Sequence, residues 1–161
     1  LTDYCSPRNI PVEAELGIIG GKEDDLVNGT VLYTDPSAAE TFASVTGITS
    51  LAVAIGTAHG FYKTVPELDL GRLIEIRSKV RIPLVMHGAS GLTDEQIKSA
   101  VVSGISKVNF ATELRAAFTY AVREHLASHP DAYDPKTYLS AGRKAVFELV
   151  REKIGVLGWQ M

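Results

Sequence analysis

Two short phrases carry most of the chemistry in this chain: Ala58-His59-Gly60 and Met86-His87-Gly88. Each closes an apolar run, Leu51-Ala-Val-Ala-Ile-Gly-Thr-Ala in the first case and Ile82-Pro-Leu-Val-Met in the second. An apolar run that stops at a histidine and a glycine reads as a buried parallel strand whose last residue meets a loop. In α/β folds ligands sit outside the carboxyl ends of such strands, so both imidazoles are expected to point into one site. Two neutral imidazoles that converge there are a start for a metal centre. A lone histidine is more often structural than ligating, but these two sit at equivalent strand ends beside glycines that let a ligand come close. His125 and His129 lack that setting and read as solvated or helix-end residues.

Glycine-rich loops follow the same strand ends. His87-Gly-Ala-Ser-Gly offers backbone N–H groups and the Ser90 hydroxyl, which suit an anionic oxygen. Asn109-Phe-Ala-Thr-Glu leads into a helix, whose N-terminus favours phosphate. The plainer reading is that Gly88 and Gly91 make turns and Thr112 caps a helix. Glu13 and Glu15 alternate in Val12-Glu-Ala-Glu-Leu and so share one face of a strand. Inside a barrel they need a cation or hydrogen-bond donors; otherwise they are a surface pair. Lys22-Glu23-Asp24-Asp25 follows Gly20-Gly21 and is either a solvated turn or a hinged loop carrying a general base.

The elements that must position these groups alternate in type. Strands are expected at Pro11–Gly17, Leu51–Thr57, Pro83–His87 and Lys107–Phe110. A first helix has Asp35 as N-cap, Pro36 at its first position and Gly47 as its stop. Leu70, Leu73, Ile74, Ile76 and Val80 approximate the apolar face of a second. Thr93 and Gln96 have capping-box spacing for a third, which Gly104 ends. Thr112–Ala127 continues as a long helix with Leu114, Ala117, Phe118, Ala121 and Leu126 on one side. Pro130 to Pro135 is a polar connection, and Ala141–Ile154 a closing helix. Strands alternating with helices indicate βαβ units and a parallel sheet. Four strands are half of an eight-stranded (β/α)8 barrel, whose usual length is about 250 residues.

Composition narrows the function classes. The chain has 161 residues, 45% hydrophobic and 22% charged, as in a globular domain with a sizeable core. A net charge of −3 and the lack of a Lys/Arg cluster argue against a nucleic-acid partner. One cysteine, Cys5, excludes an internal disulfide framework and fits a reducing cytosol. No apolar stretch approaches the about 20 residues that cross a bilayer, and no secretory pattern opens the chain, so no membrane role is expected. The chain starts at Leu1 rather than methionine, so an upstream part is expected.

Six blocks in order resemble the class II, zinc-dependent fructose- and tagatose-bisphosphate aldolases. They are Val12-Glu-Ala-Glu-Leu-Gly, Gly20-Gly-Lys-Glu-Asp, Tyr33-Thr-Asp-Pro, Ala54-Ile-Gly-Thr-Ala-His-Gly, His87-Gly-Ala-Ser-Gly and Lys107-Val-Asn-Phe-Ala-Thr-Glu-Leu. The Gly-Thr-Ala-His-Gly and Asn-x-Ala-Thr-Glu-Leu forms look more like the tagatose-bisphosphate branch. The resemblance implies that residues 1–161 are the C-terminal half of a TIM barrel, with the N-terminal half absent. It implies Zn2+ held by His59 and His87, with Glu15 as a nearby carboxylate that can contact the metal. Glu23 matches the loop carboxylate that takes a proton from dihydroxyacetone phosphate. Gly60, Gly88, Ala89, Ser90, Asn109, Phe110, Ala111 and Thr112 match the site for that sugar phosphate, with Asn109 near the reacting carbon. Lys63 falls close to the phosphate loop, where a monovalent cation is also expected. Zinc then polarises the ketone oxygen and stabilises the enediolate formed on proton loss.

Two departures temper the expected activity. The family's third zinc histidine and its catalytic aspartate form an Asp-His pair, which this sequence lacks. Ser140 stands where the family often has arginine, with Arg143 nearby. The expectation is reversible aldol cleavage of a ketose 1,6-bisphosphate by a cytoplasmic homo-oligomer, dimer or tetramer, in the complete enzyme, with the isolated fragment inactive. The alternative is a non-catalytic sugar-phosphate-binding or assembly subunit, because half a barrel leaves two sheet edges open. A metal-dependent hydrolase on a similar barrel is a third reading, though nothing specifies a scissile bond.

Overall fold

The computed structural model describes residues 1–21, 32–64 and 66–158. The chain divides into two compact units, Leu1–Asn109 and Phe110–Met161. The first holds a four-stranded parallel sheet in the order β1-β3-β5-β6, made of Glu13–Leu16, Ser50–Val53, Leu84–Met86 and Ile105–Val108. A second, two-stranded parallel sheet pairs β2 (Gly20–Gly21) with β4 (Ala58–His59). These pairings are too short to leave an apolar signature in the sequence.

The inner strands explain the apolar runs. Leu51, Ala52, Val53, Leu84, Val85 and Met86 are all fully buried, as expected of strands flanked on both edges and covered on both faces. Burying each large aliphatic side chain is worth about 1.5–3 kcal/mol. Each regular strand is shorter than the run that announces it, because the polar groups beyond Val53 and Met86 turn toward loops. The last strand is earlier than expected, at 105–108 rather than 107–110.

The helices between the strands start where their side chains can accept backbone N–H groups. In α2 (Pro36–Thr46) the Asp35 carboxylate accepts from Ser37 and Ala38, and Gly47 ends the helix in the left-handed region. In α3 (Leu70–Lys79) Asp69 accepts from the Arg72 N–H at 2.9 Å. In α4 (Asp94–Val102) Thr93 and Gln96 form the reciprocal capping box. Leu73, Ile76 and Val80 face the core, but Ile74 does not: it is 56% exposed, on the outer side of α3. A short helix, α1 (Thr2–Cys5), and a 3-10 turn at Ser6–Arg8 precede β1.

Register decides which side chains share a face. Glu13 and Glu15 lie opposite Ser50 and Ala52. Ala52 in turn lies opposite Val85, and Val85 opposite Lys107. A bulge makes this last match possible: Leu84 pairs with Ile105 but Val85 pairs with Lys107, so Ser106 is an extra residue. A regular ladder would put Ser106 beside Val85 and send Lys107 to the opposite face.

The second unit packs α5 (Thr112–Ser128) against α6 (Pro135–Val156). The closing helix begins at Pro135 rather than 141, because Asp134 caps it by accepting from the Lys136 N–H. Gly142 lets the two helices approach closely: a Cβ there would stand 2.6 Å from the Phe118 ring. Leu126 lies outside that contact and is 39% exposed, unlike the side expected for it. Lys153 is buried and pairs with Glu113 at 3.6 Å. Among the described residues, no helix is long and apolar enough to cross a membrane.

Candidate active site

His59 closes β4, and His87 directly follows β5. Their ring centroids are 6.1 Å apart, with planes tilted by 34°. The separation arises because the loop after β5 runs against the backbone of β4. At Gly88, with φ of +67°, a Cβ would stand 2.5 Å from the Ala58 carbonyl oxygen, so only glycine lets the chain pass there. The Ala58 N–H donates to the Tyr62 hydroxyl at 2.8 Å, and that hydroxyl donates to the Gly88 carbonyl at 2.6 Å.

His87 is bracketed by carboxylates. Glu15 Oε2 lies 2.7 Å from Nδ1, and Glu13 Oε1 lies 3.1 Å from Nε2. A neutral imidazole donates through one nitrogen only, so the tautomer decides which carboxylate receives the proton. Glu13 has further donors: Lys107 Nζ at 2.8 Å and the Ser50 hydroxyl at 3.2 Å, both on Oε2. Burial pushes the Glu13 carboxyl up, but hydrogen bonds from Lys107 and His87, the Lys107 charge and the Ser50 hydroxyl together hold it below the usual carboxylate range. The two glutamates are therefore not a bare surface pair. They belong to a five-residue network with Ser50, His87 and Lys107.

The donor set can be weighed against a zinc ion. Zinc–nitrogen bonds of about 2.0–2.1 Å put each ring centre about 3.2 Å from a metal, so rings 6.1 Å apart share one ion only with the two bonds opened well beyond the tetrahedral angle. Glu15, on the Nδ1 of His87, occupies the place from which a carboxylate orients a ligating ring. Among the described residues, no three histidine, cysteine, aspartate or glutamate side chains gather to hold a metal by themselves. Both ring nitrogens of His87 face carboxylates here, so Glu13 would have to give up the Nε2 for that ring to join His59 on one ion.

The other residues singled out from the sequence are placed as follows. Gly60 continues from His59 in the left-handed region, at φ of +102°. Lys63 is exposed. Ala89 and Ser90 are buried beneath the turn in which the Leu92 N–H donates to the Ala89 carbonyl. The Asn109 N–H donates to the Met86 carbonyl at 3.0 Å, which fixes the chain just past β6 beside the root of His87. Phe110, Ala111 and Thr112 open the second unit, with Ala111 at the N-cap of α5. The N-cap is Ala111 rather than Thr112, and alanine brings no side-chain oxygen to the first N–H groups of the helix. Glu23 lies outside the described residues. Tyr62 and Lys107 were not singled out from the sequence: the contacts of one are with backbone, and the face of the other depends on the bulge.

A sequence profile described as fructose-bisphosphate aldolase class-II matches residues 1–160. Solved structures agree with it. The YdjI aldolase of Escherichia coli K12 is 41% identical over 98% of this chain, with a TM-score of 0.81, and 53% of that chain is covered. A candidate fructose-1,6-bisphosphate aldolase of Coccidioides immitis is 33% identical over 98% of this chain, with a TM-score of 0.79 and 56% of its own length covered. A fructose-bisphosphate aldolase of Campylobacter jejuni is 25% identical over 95%, with a TM-score of 0.72 and 53% of its length covered. The fold is thus α/β with parallel strands, of the kind these aldolases share. The chain belongs to the class II fructose-bisphosphate aldolase family. It spans about half the length of the solved structures it matches.

Proposed function

We propose that residues 1–161 form the C-terminal half of the barrel of a zinc-dependent ketose-bisphosphate aldolase. The reaction is the reversible cleavage of tagatose or fructose 1,6-bisphosphate to dihydroxyacetone phosphate and glyceraldehyde 3-phosphate, and the sequence forms favour tagatose. The observation that carries this reading is the His59–His87 pair, 6.1 Å apart, with Glu15 on one ring nitrogen of His87. A zinc ion bound by both imidazoles would polarise the ketone oxygen of the substrate.

The chain's own residues divide the remaining work. Glu15 sets the ring plane of His87, while Glu13, held by Lys107 and Ser50, flanks its other edge. Backbone N–H groups of Gly88, Ala89 and Ser90, with the Ser90 hydroxyl, suit one anionic oxygen of the esterified triose. The first turn of α5 at Thr112, with Ala111 before it, offers N–H groups and a favourable dipole to a phosphate. In this reading a monovalent cation neutralises charge near that phosphate, close to Lys63. Asn109 positions the reacting carbon, and Glu23 takes its proton. Gly60 keeps the approach to His59 open.

The isolated chain is expected to turn over little, because a catalytic zinc usually has three protein ligands and these residues supply two imidazoles. The complete enzyme is read as a cytoplasmic dimer or tetramer. An assay of the purified chain with zinc and each bisphosphate tests the inactivity, which robust turnover would refute. The same assay on the chain extended upstream tests the activity. Cleavage that vanishes in His59→Ala and His87→Ala supports the aldolase reading, and indifference to both removes it.

A further inference from the structure

The loops that carry the two histidines meet where neither is covered by a sheet ladder on that side. β4 pairs with β2, and β5 ends at Met86, so the Ala58 N–H and the Gly88 carbonyl need another partner. A single hydroxyl serves both, since it accepts with a lone pair and donates its proton. The Tyr62 oxygen does this at 2.8 and 2.6 Å. Its ring also stands close under the following turn: a Cβ on Gly91 would meet it at 3.2 Å.

We propose that Tyr62 is a positioning residue for the His59–His87 pair. Its hydroxyl clamps the backbone one residue before His59 to the backbone one residue after His87. The proposal rests on the reading of that pair as the functional site. Phenylalanine keeps the ring but abandons both bonds, and the two loops then lose the bridge that sets the spacing of the imidazoles. Burial raises the hydroxyl's titration above the ordinary tyrosine value, against a smaller opposing effect of the Ala58 N–H, so the donated proton stays in place at neutral pH.

The test compares wild type, Tyr62→Phe and His59→Ala by proton NMR of the imidazoles and by titration with Zn2+ alone. In the metal-free protein, Tyr62→Phe should shift or broaden the His59 and His87 ring signals. The His125 and His129 signals should stay put and report a folded second unit, and the buried methyl signals of Leu51, Val53 and Leu84 report a folded first one. Unchanged His59 and His87 signals overturn the proposal. If the variant does not fold, the wild type decides: a Tyr62 hydroxyl proton protected from exchange and close to Gly88 supports the clamp, and one exchanging as freely as in an exposed tyrosine overturns it. With Zn2+, Tyr62→Phe should weaken binding about tenfold, as losing a group that orients a ligand does. Equal affinity in wild type and His59→Ala removes the metal reading instead, and the metal-free spectra still decide the role of Tyr62.

Discussion

Lys107, on one edge strand of the four-stranded sheet, donates to Glu13, on the other edge strand, at 2.8 Å. Two strands lie between them, so the pair reaches across the whole face that carries Glu15 and Ser50. The contact gives Glu13 a fixed counter-charge and sets one oxygen aside for it, leaving the other for His87. One cation thereby orders a carboxylate that in turn orders an imidazole.

Replacing Lys107 with methionine should raise the Glu13 carboxyl and cost about 1 kcal/mol or less, since the lysine is half exposed and screened. A carboxyl held low in the fold stabilises it above the ordinary glutamate value, and that stability is lost as pH falls through the folded value. The variant should therefore lose less stability on acidification than wild type. A urea series at several pH values, with carboxyl NMR of Glu13, measures both effects.

Asp69 offers a second acid-sensitive contact, away from the site. The Arg72 N–H, and then the Arg72 side chain at 2.9 Å, hold its carboxyl below the usual range against a smaller upward push from burial. By the same sign, its contribution is complete above the ordinary aspartate value and fades as pH drops through the folded one. Asp69→Ala should cost about 1 kcal/mol near neutrality, the usual cost of losing an N-cap. Below the carboxyl range its deficit should shrink, as denaturant midpoints would show.

Gly142→Ala sets two effects against each other. Alanine is favoured over glycine within a helix by about 1 kcal/mol. The added Cβ, however, would lie 2.6 Å from two Phe118 ring atoms and 2.9 Å from a Val122 methyl. Overpacking costs about 1–3 kcal/mol, so the sum should be destabilising. Gly155, with open space around its Cβ position, is the control: Gly155→Ala should be neutral or stabilising by thermal melting.

Leu84→Ala, in the fully buried middle of β5, should cost about 2–5 kcal/mol. Alternation along β5 puts Leu84 on the face opposite the one that carries Glu15, Ala52 and Val85, so the His87 signals should stay sharp as the melting temperature falls. Broadened signals in a destabilised protein would show the site coupled to the far face of the sheet.

Much of this arrangement can be read from residue order, because the governing physics is local. An apolar run ending in His-Gly announces a buried strand and its exit, and Thr93 with Gln96 spells out a helix start. Glu13 and Glu15 show their shared face by alternation alone. Other features depend on partners distant in the chain. Ile74 is apolar but points outward, which only the packing of α3 reveals. The start of α6 hides in Pro135-Lys-Thr-Tyr, a first turn with no aliphatic repeat to announce it. Tyr62 acts through two backbone groups that have no sequence signature, and β2 and β4 are two residues each. The face on which Lys107 appears follows from an irregular pairing, which simple alternation misses.

The extra residue at Ser106 makes β6 sensitive to pairing more than to identity. Many side chains could stand at 106 with little effect, yet drawing that position into the ladder beside Val85 would exchange inside for outside along the rest of the strand. The ammonium would turn away from the acidic row, and Glu13 would keep only Ser50 and His87 as donors. For this segment a one-residue slip of the pairing would do more harm than several missense changes together.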